Sequence, residues 1–243
     1  MTSLQAAWRA WRVLFHLLHG LATIVWLFPR LSPEQRDLRV QVWSSAMLLR
    51  LGVQLAVVGT PPTLGPMLLV CNHLSWLDIT VLHAAYHCRF VSKADVGRWP
   101  IVGRLATGAG TLYIERSSRR DAMRVVHTMV QALREGDILT VFPEGTTGDG
   151  NRMLPFHANL IQAAIAAPAP VQPVGLSYVD ANGVACRAVS YFGDDTLGAS
   201  VWRTLRARDV RAIVRFGTAQ QAEGRDRRSW AHDLRDQVGA LIQ

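Results

Sequence analysis

The stretch Met67-Leu68-Leu69-Val70-Cys71-Asn72-His73-Leu74-Ser75-Trp76-Leu77-Asp78 decides how the rest of the chain is read. Its first five residues are a short apolar run, the pattern of a strand buried on both faces. A strand that stops at Asn-His sets an imidazole at a sheet edge, where open α/β sheets bind ligands. Ser75 predicts a helix N-cap, with Asp78 in the first turn of a helix running from Trp76 to about His87. On one continuous helix His73 and Asp78 would point about 140° apart. Across a strand-loop-helix junction they face each other. Asp78 then accepts a hydrogen bond from one ring nitrogen and fixes the tautomer. The other nitrogen is left to take a proton from a hydroxyl. The same residues also read as an ordinary capping box, Ser75-x-x-Asp78, with His73 a structural histidine.

Downstream, strand and helix patterns alternate. Arg89–Ser92, Thr111–Ile114, Asp137–Phe142, Val171–Tyr178, Ala188–Phe192 and Ile213–Phe216 read as strands. Helices are expected over 119–135, where Ala122, Val126, Met129, Val130 and Leu133 share one face, and over 155–167 and 229–241. The pattern predicts an α/β fold, a mixed and mostly parallel sheet flanked by helices. One loop stands out, Pro143-Glu144-Gly145-Thr146-Thr147-Gly148-Asp149-Gly150. Its glycines let backbone N–H groups approach a ligand and its threonines add hydroxyls, so it suits an anion nest. It also has the composition of a long polar turn. His83 and His87 are spaced i, i+4, but no third ligand accompanies them, and a partly buried helix face explains them without a metal.

Upstream, Val13–Pro29 is a 17-residue run without formal charge between Arg12 and Arg30, at the short end of the membrane-spanning range of about 17–25. His16, His19 and Gly20 interrupt it. It begins like a signal peptide but lacks a small-residue cleavage site, so it is expected to stay on the protein. Ser32, Pro33 and Gln35 start a second helix with a capping box, expected to run to about Val58. Tryptophans and arginines recur at the ends of both apolar runs, as they do at membrane interfaces. Residues 1–58 are therefore read as a membrane-associated two-helix motif and 59–243 as the α/β domain. A buried helical hairpin packed on the core is the competing account.

Composition narrows the class. Of 243 residues 49% are hydrophobic, and the formal net charge is +8, carried almost wholly by arginine because Lys93 is the single lysine. Such a charge suits an anionic partner: a membrane surface, a phosphorylated substrate or an acidic carrier. Cys71, Cys88 and Cys186 form neither a zinc pattern nor a disulfide framework. The arginines are spread along the chain with no nucleic-acid-binding motif. A G-x-S-x-G elbow is absent, which argues against a serine esterase.

Four stretches in fixed order give the chain a specific resemblance. Asn72, His73 and Asp78 match N-H-x-x-x-x-D, with Ser75 inside it. Gly110, Tyr113, Ile114 and Arg116 match G-x-x-[FY]-[IV]-x-R. Phe142 through Thr146 match F-P-E-G-T, and Val171, Pro173 and Val174 match V-x-P-V. Over roughly residues 60 to 220 the chain resembles the 1-acylglycerol-3-phosphate acyltransferase family. That resemblance implies acyl transfer from acyl-CoA or acyl carrier protein to a lysolipid hydroxyl, most simply 1-acylglycerol-3-phosphate. It implies no cofactor, no metal and no nucleic-acid partner, at the cytoplasmic face of the inner membrane. His73 would be the general base oriented by Asp78. Asn72, Ser75, Arg116, Glu144, Gly145, Thr146 and Thr147 would bind substrate, with Arg116 and Glu144 on the acceptor head group and backbone donors near Gly145 and Thr146 on the oxyanion. The chain departs from the pattern after Thr146. Many members continue with Arg-Ser, whereas here Thr147 is followed by Gly148-Asp149-Gly150. Arg152 is the nearby substitute. The Gly-Asp-Gly continuation resembles members that acylate lyso-ornithine lipid. A lipid-binding protein without activity would keep the helices but would not need His73 and Asp78 together.

Overall fold

The computed structural model describes residues 2–115 and 119–243. In chain order the elements are α1 (Ser3–Ala22), α2 (Pro33–Leu51), β1 (Val53–Val58), β2 (Met67–Cys71), α3 (Asp78–Ala85), β3 (Arg89–Lys93), α4 (Ala94–Gly97), α5 (Val102–Gly108), β4 (Leu112–Ile114), α6 (Arg119–Arg134), β5 (Ile138–Val141), α7 (Ala158–Ala166), β6 (Val171–Val179), α8 (Leu197–Arg206), β7 (Val210–Phe216) and α9 (Arg227–Ile242).

The strands form a seven-stranded sheet in the order β1-β7-β6-β2-β5-β3-β4. The five from β6 to β4 are parallel, β7 is antiparallel to β6, and β1 runs parallel to β7. The sheet is therefore mixed and mostly parallel, as expected. β2 lies in its middle and all five of its residues are buried. Successive side chains alternate between faces. Leu68 and Val70 join a core with Met129, Leu133, Ile161 and Trp230, from α6, α7 and α9. Met67, Leu69 and Cys71 join the opposite core with Leu48, Leu51, Val81 and Leu205, from α2, α3 and α8.

This layering sets where the candidate site falls. β2 and β5 are neighbours. The chain leaves β2 through α3 on one face and leaves β5 through α7 on the other. Strands whose connections diverge in this way open a gap at their carboxyl ends, the topological switch point of an open α/β sheet. The register, with Val70 opposite Val141, brings His73 level with Glu144.

Several local expectations change. The second helix stops at Leu51, not Val58: Gly52 takes a left-handed conformation (φ +73°) and ends it, and Val53–Val58 pairs with β7 as an edge strand. β-branched residues after a C-terminal glycine favour that switch. Residues 188–192 form no strand. A 3₁₀ turn occupies 187–189, and side chains take the carbonyls a strand would have paired: Arg203 donates to Ser190 O at 2.6 Å and Ala188 O at 3.3 Å. α3 begins at Asp78, two residues later than expected, and its N-cap is Leu77 with no side-chain cap, not Ser75; Ser75 Oγ instead accepts from Leu77 N–H at 3.2 Å in the turn before the helix. α8, capped by the Thr196 hydroxyl, has no counterpart in the sequence-based expectation.

α1 continues through a π-helical turn at 23–27 and a 3₁₀ turn at 28–30. Its inward face is docked: Ala6, His16 and Gly20 are buried and Ala10, Val13 and Leu17 pack on the core. Arg9 stitches it down, donating through Nη1 to Ala207 O (2.8 Å), Leu205 O (3.3 Å) and Leu51 O (3.4 Å) at the carboxyl ends of α8 and α2. A cation suits those ends because their carbonyls are unpaired and carry the negative pole of the helix dipole. The Ser32–Gln35 capping box starts α2 as expected.

Candidate active site

The site begins where β2 runs out. Asn72 continues the ladder with its side chain: Nδ2 donates to Leu176 O at 2.9 Å and Oδ1 accepts from Leu176 N–H at 2.8 Å. Both halves of the amide are thus tied to β6, and the residue is buried. Ser75 is buried too, with Oγ donating to Val189 O at 2.5 Å. These two residues stand behind the site and hold the junction in shape.

His73 and Asp78 do face each other. His73 Nδ1 lies 2.7 Å from Asp78 Oδ2, and the carboxylate is wholly buried while the imidazole side chain keeps 18% of its surface. Oδ2 also accepts from the N–H groups of Leu74 (2.6 Å) and Ser75 (2.9 Å), and Oδ1 accepts from the Tyr178 hydroxyl at 2.7 Å. Four donors therefore converge on one carboxylate and leave it a single orientation. A carboxylate oxygen in this setting only accepts, so Nδ1 carries the proton and Nε2 presents its lone pair. Among the described residues nothing hydrogen-bonds Nε2. The ring stacks on Phe142, centroids 3.9 Å apart and planes within 10°.

Glu144 locks the backbone of His73 in place. Its Oε1 accepts from His73 N–H at 2.8 Å and its Oε2 from Leu154 N–H at 3.0 Å. Burial pushes its carboxyl above the usual range, and those two N–H groups act in the opposite sense. Gly148 N–H donates to His73 O at 2.8 Å, so the glycine loop is fastened to the histidine on its other side. Gly145, at φ +72°, closes a turn by donating to Phe142 O at 3.0 Å. Its N–H is therefore committed, whereas among the described residues those of Thr146 and Thr147 are not. Thr146 is exposed and Thr147 partly so. Arg116 lies outside the described residues.

Tyr178 is absent from the sequence-based set, although it completes the grip on Asp78. It follows Val174 and Leu176 on the inward face of β6. A tyrosine on a buried face needs a hydroxyl partner, but nothing local in the sequence names that partner. Burial, and then the Asp78 charge, push its phenol well above the ordinary value, so it stays a donor. The i, i+4 histidines are stacked, with centroids 5.2 Å apart, and His87 Nε2 lies 3.1 Å from Asp37 Oδ1. Among the described residues no three His, Cys, Asp or Glu side chains gather as a metal cluster.

The chain is similar to known proteins. A family model described as Acyltransferase matches residues 55–177. A 1-acyl-sn-glycerol-3-phosphate acyltransferase of Neisseria meningitidis serogroup B is 34% identical, covering 86% of this chain and 83% of its own. A lyso-ornithine lipid O-acyltransferase of Pseudomonas aeruginosa is 33% identical, covering 98% and 93%. Another of that name from Rhizobium meliloti is 38% identical, covering 82% and 70%. The crystal structure of the 1-acyl-sn-glycerophosphate acyltransferase of Thermotoga maritima superposes with a TM-score of 0.68 at 15% identity, covering 98% of this chain and 96% of that one. At that identity the superposition speaks for the fold. The relatives and the family match, taken with a histidine whose one free nitrogen opens from a buried carboxylate grip, show that this chain is an enzyme of the acyltransferase family.

Proposed function

We propose that the chain transfers a fatty acyl group from a thioester, acyl-CoA or acyl carrier protein, to the hydroxyl of a lysolipid, with 1-acylglycerol-3-phosphate as the acceptor and phosphatidic acid as the product. The observation that carries this is the His73–Asp78 contact at 2.7 Å with Nε2 left open. Nε2 takes the proton from the acceptor hydroxyl as its oxygen bonds to the thioester carbonyl carbon. The tetrahedral oxyanion collapses, the C–S bond breaks, and the imidazolium returns its proton to the departing thiolate. No enzyme nucleophile is required. A positioned base contributes about 10²–10⁴-fold, and holding the hydroxyl against the thioester adds more. The uncommitted N–H groups of Thr146 and Thr147 are the donors for the oxyanion. Asn72, Ser75, Glu144 and Tyr178 act through His73 and Asp78 by holding them.

A second acceptor is favoured by one feature of the loop. Asp149 is partly exposed, and hydrogen bonds from the Asn151 backbone and then its side chain hold its carboxyl below the usual range. It lies two residues beyond Thr147, the position at which many family members carry the arginine. A fixed negative charge beside the site suits the ammonium of a lyso-ornithine head group better than a phosphate. Supplying purified enzyme with lysophosphatidate and lyso-ornithine lipid, each with acyl-CoA and acyl carrier protein, and weighing the products by mass spectrometry separates the two acceptors. Formation of neither product with either donor would reject lysolipid acylation.

The enzyme is proposed to work on a membrane face. The helix over Ser3–Arg30 is long and apolar enough to cross a bilayer. Its inward side nevertheless touches the α/β unit from Ala6 to Ile24, which packs against Gly108. Leu4, Trp8, Trp11, Phe15, Leu18 and Trp26 form the opposite, exposed side and recur at i, i+4, i+7 spacing. A helix docked along one side and apolar along the other lies in the interface plane. The cytoplasmic leaflet of the inner membrane is the face proposed.

A further inference from the structure

A second set of residues, none of them in contact with His73 or Asp78, lines a groove at the amino-terminal end of α1. This groove, of about 830 Å³, runs between α1, the carboxyl end of α2 and the turn from α8 into β7. Arg9, Arg12 and Arg208 line it, with Asp209 as the one acidic side chain and Leu4 and Trp8 along the edge. Arg12 and Arg208 are exposed, and among the described residues neither makes an ion pair or a hydrogen bond. Arg12 and Arg208 are each close enough for their charge to act on Arg9. Burial first, and then the charges of Arg12 and Arg208, hold Arg9 below its ordinary value, with Asp209 acting the other way. Three like charges gathered around space, two of them without a partner, make a site that an anion would complete.

We propose that this groove binds the phosphate of an anionic membrane lipid, separately from the acceptor at His73. The rim selects lipid over free phosphate. Leu4 is 84% and Trp8 62% exposed, and both begin the apolar stripe that continues through Trp11 and Phe15. A ligand whose charge meets the arginines would thus carry its hydrocarbon along the stripe. Arg12, one turn beyond Trp8, sits where a helix lying in the interface places its cations. An acidic carrier protein would have to cover those exposed apolar side chains to reach the same charges. The site sets which end of α1 meets charged head groups and so fixes the rotation of the domain on the membrane. This rests on the interfacial reading of α1, and the experiment separates the two.

The test is co-sedimentation of the full chain with phosphatidylcholine vesicles and with vesicles also containing about one-third phosphatidylglycerol, at low salt and at about 0.5 M salt. Binding to neutral vesicles reports the apolar stripe; its absence would overturn the interfacial reading. The added affinity for anionic vesicles reports the groove. The wild type should show that increment, and Arg12→Ala/Arg208→Ala should lose about 20–30-fold of it, from about fivefold per cation at a charged surface. Arg12→Lys/Arg208→Lys should retain most of it, which controls for folding. Arg227→Ala/Arg228→Ala removes two exposed charges on α9 and should leave the increment intact. An equal loss in that pair would overturn the site in favour of diffuse charge. Abolition of the increment by millimolar inorganic phosphate at constant ionic strength would overturn lipid selectivity. An unchanged increment in Arg12→Ala/Arg208→Ala, with loss of acyl carrier protein binding instead, would assign the groove to a protein partner and overturn the proposal.

Discussion

Tyr178→Phe removes one oxygen and little else. The ring stays within the core beside Val174 and Leu176, so no cavity of consequence opens. What goes is the 2.7 Å hydrogen bond to Asp78 Oδ1. That oxygen is wholly buried, and its carboxylate partner atom Oδ2 already holds the other three donors. A buried charged acceptor stripped of its donor costs about 2–3 kcal/mol, which in a chain of this size lowers Tm by roughly 5–10 °C. The rate should fall much less than it does when Asp78 itself is changed. Oδ2 still receives His73 Nδ1–H and two backbone N–H groups, so the imidazole keeps its tautomer while the carboxylate gains torsional freedom. We expect a loss of roughly 10-fold in kcat, against about 10²–10⁴-fold for Asp78→Ala. Thermal unfolding in detergent gives the first quantity and initial rates of lysolipid acylation the second. A wild-type Tm would show that the hydroxyl does not hold Oδ1. A rate as low as that of Asp78→Ala would refute the idea that Oδ2 alone orients the histidine.

Two further predictions address the fold behind the site. Asn72→Asp keeps the acceptor for Leu176 N–H but sets a carboxylate oxygen against Leu176 O; it should cost at least about 2 kcal/mol in urea unfolding, and unchanged stability would count against the side-chain ladder. His83 is held neutral by burial, its pKa lowered to about 3. Below pH 6.5 the unfolded chain binds a proton that the folded chain refuses until about pH 3, so stability is intact above 6.5 and falls as pH drops, by about 1.4 kcal/mol per unit. Comparing urea midpoints at pH 7.5 and 5.5, His83→Phe should lose about 1.4 kcal/mol of the wild-type difference; an identical pH dependence in the variant would contradict the burial argument.

The parts legible in the sequence were those encoded locally. The run 67–71 was apolar without interruption because it is buried on both faces, and Ser32, Pro33 and Gln35 spelled a helix start that the chain adopts. The His73–Asp78 pairing was legible because five residues across a strand-to-helix turn leave few other geometries. What escaped depended on distant partners. The grip of Tyr178 on Asp78 spans 100 residues and that of Ser75 on Val189 spans 114, so neither has a local signature. The β1 strand escaped for a different reason. The apolar residues of 53–58 continue the spacing of α2, and only Gly52 marks the break. A motif does not show exposure, so the sequence alone places Asn72 and Glu144 among the substrate contacts. Folding turns both inward, onto β6 in one case and onto the His73 and Leu154 backbone in the other.

The central claim is that the open nitrogen of His73 removes the acceptor proton. It is tested most directly by measuring acyl transfer to a lysolipid by His73→Ala, with thermal unfolding followed in the same preparation. The account predicts a rate lower by at least about 10²-fold at near-native Tm. A folded His73→Ala enzyme that acylates at the wild-type rate would contradict it.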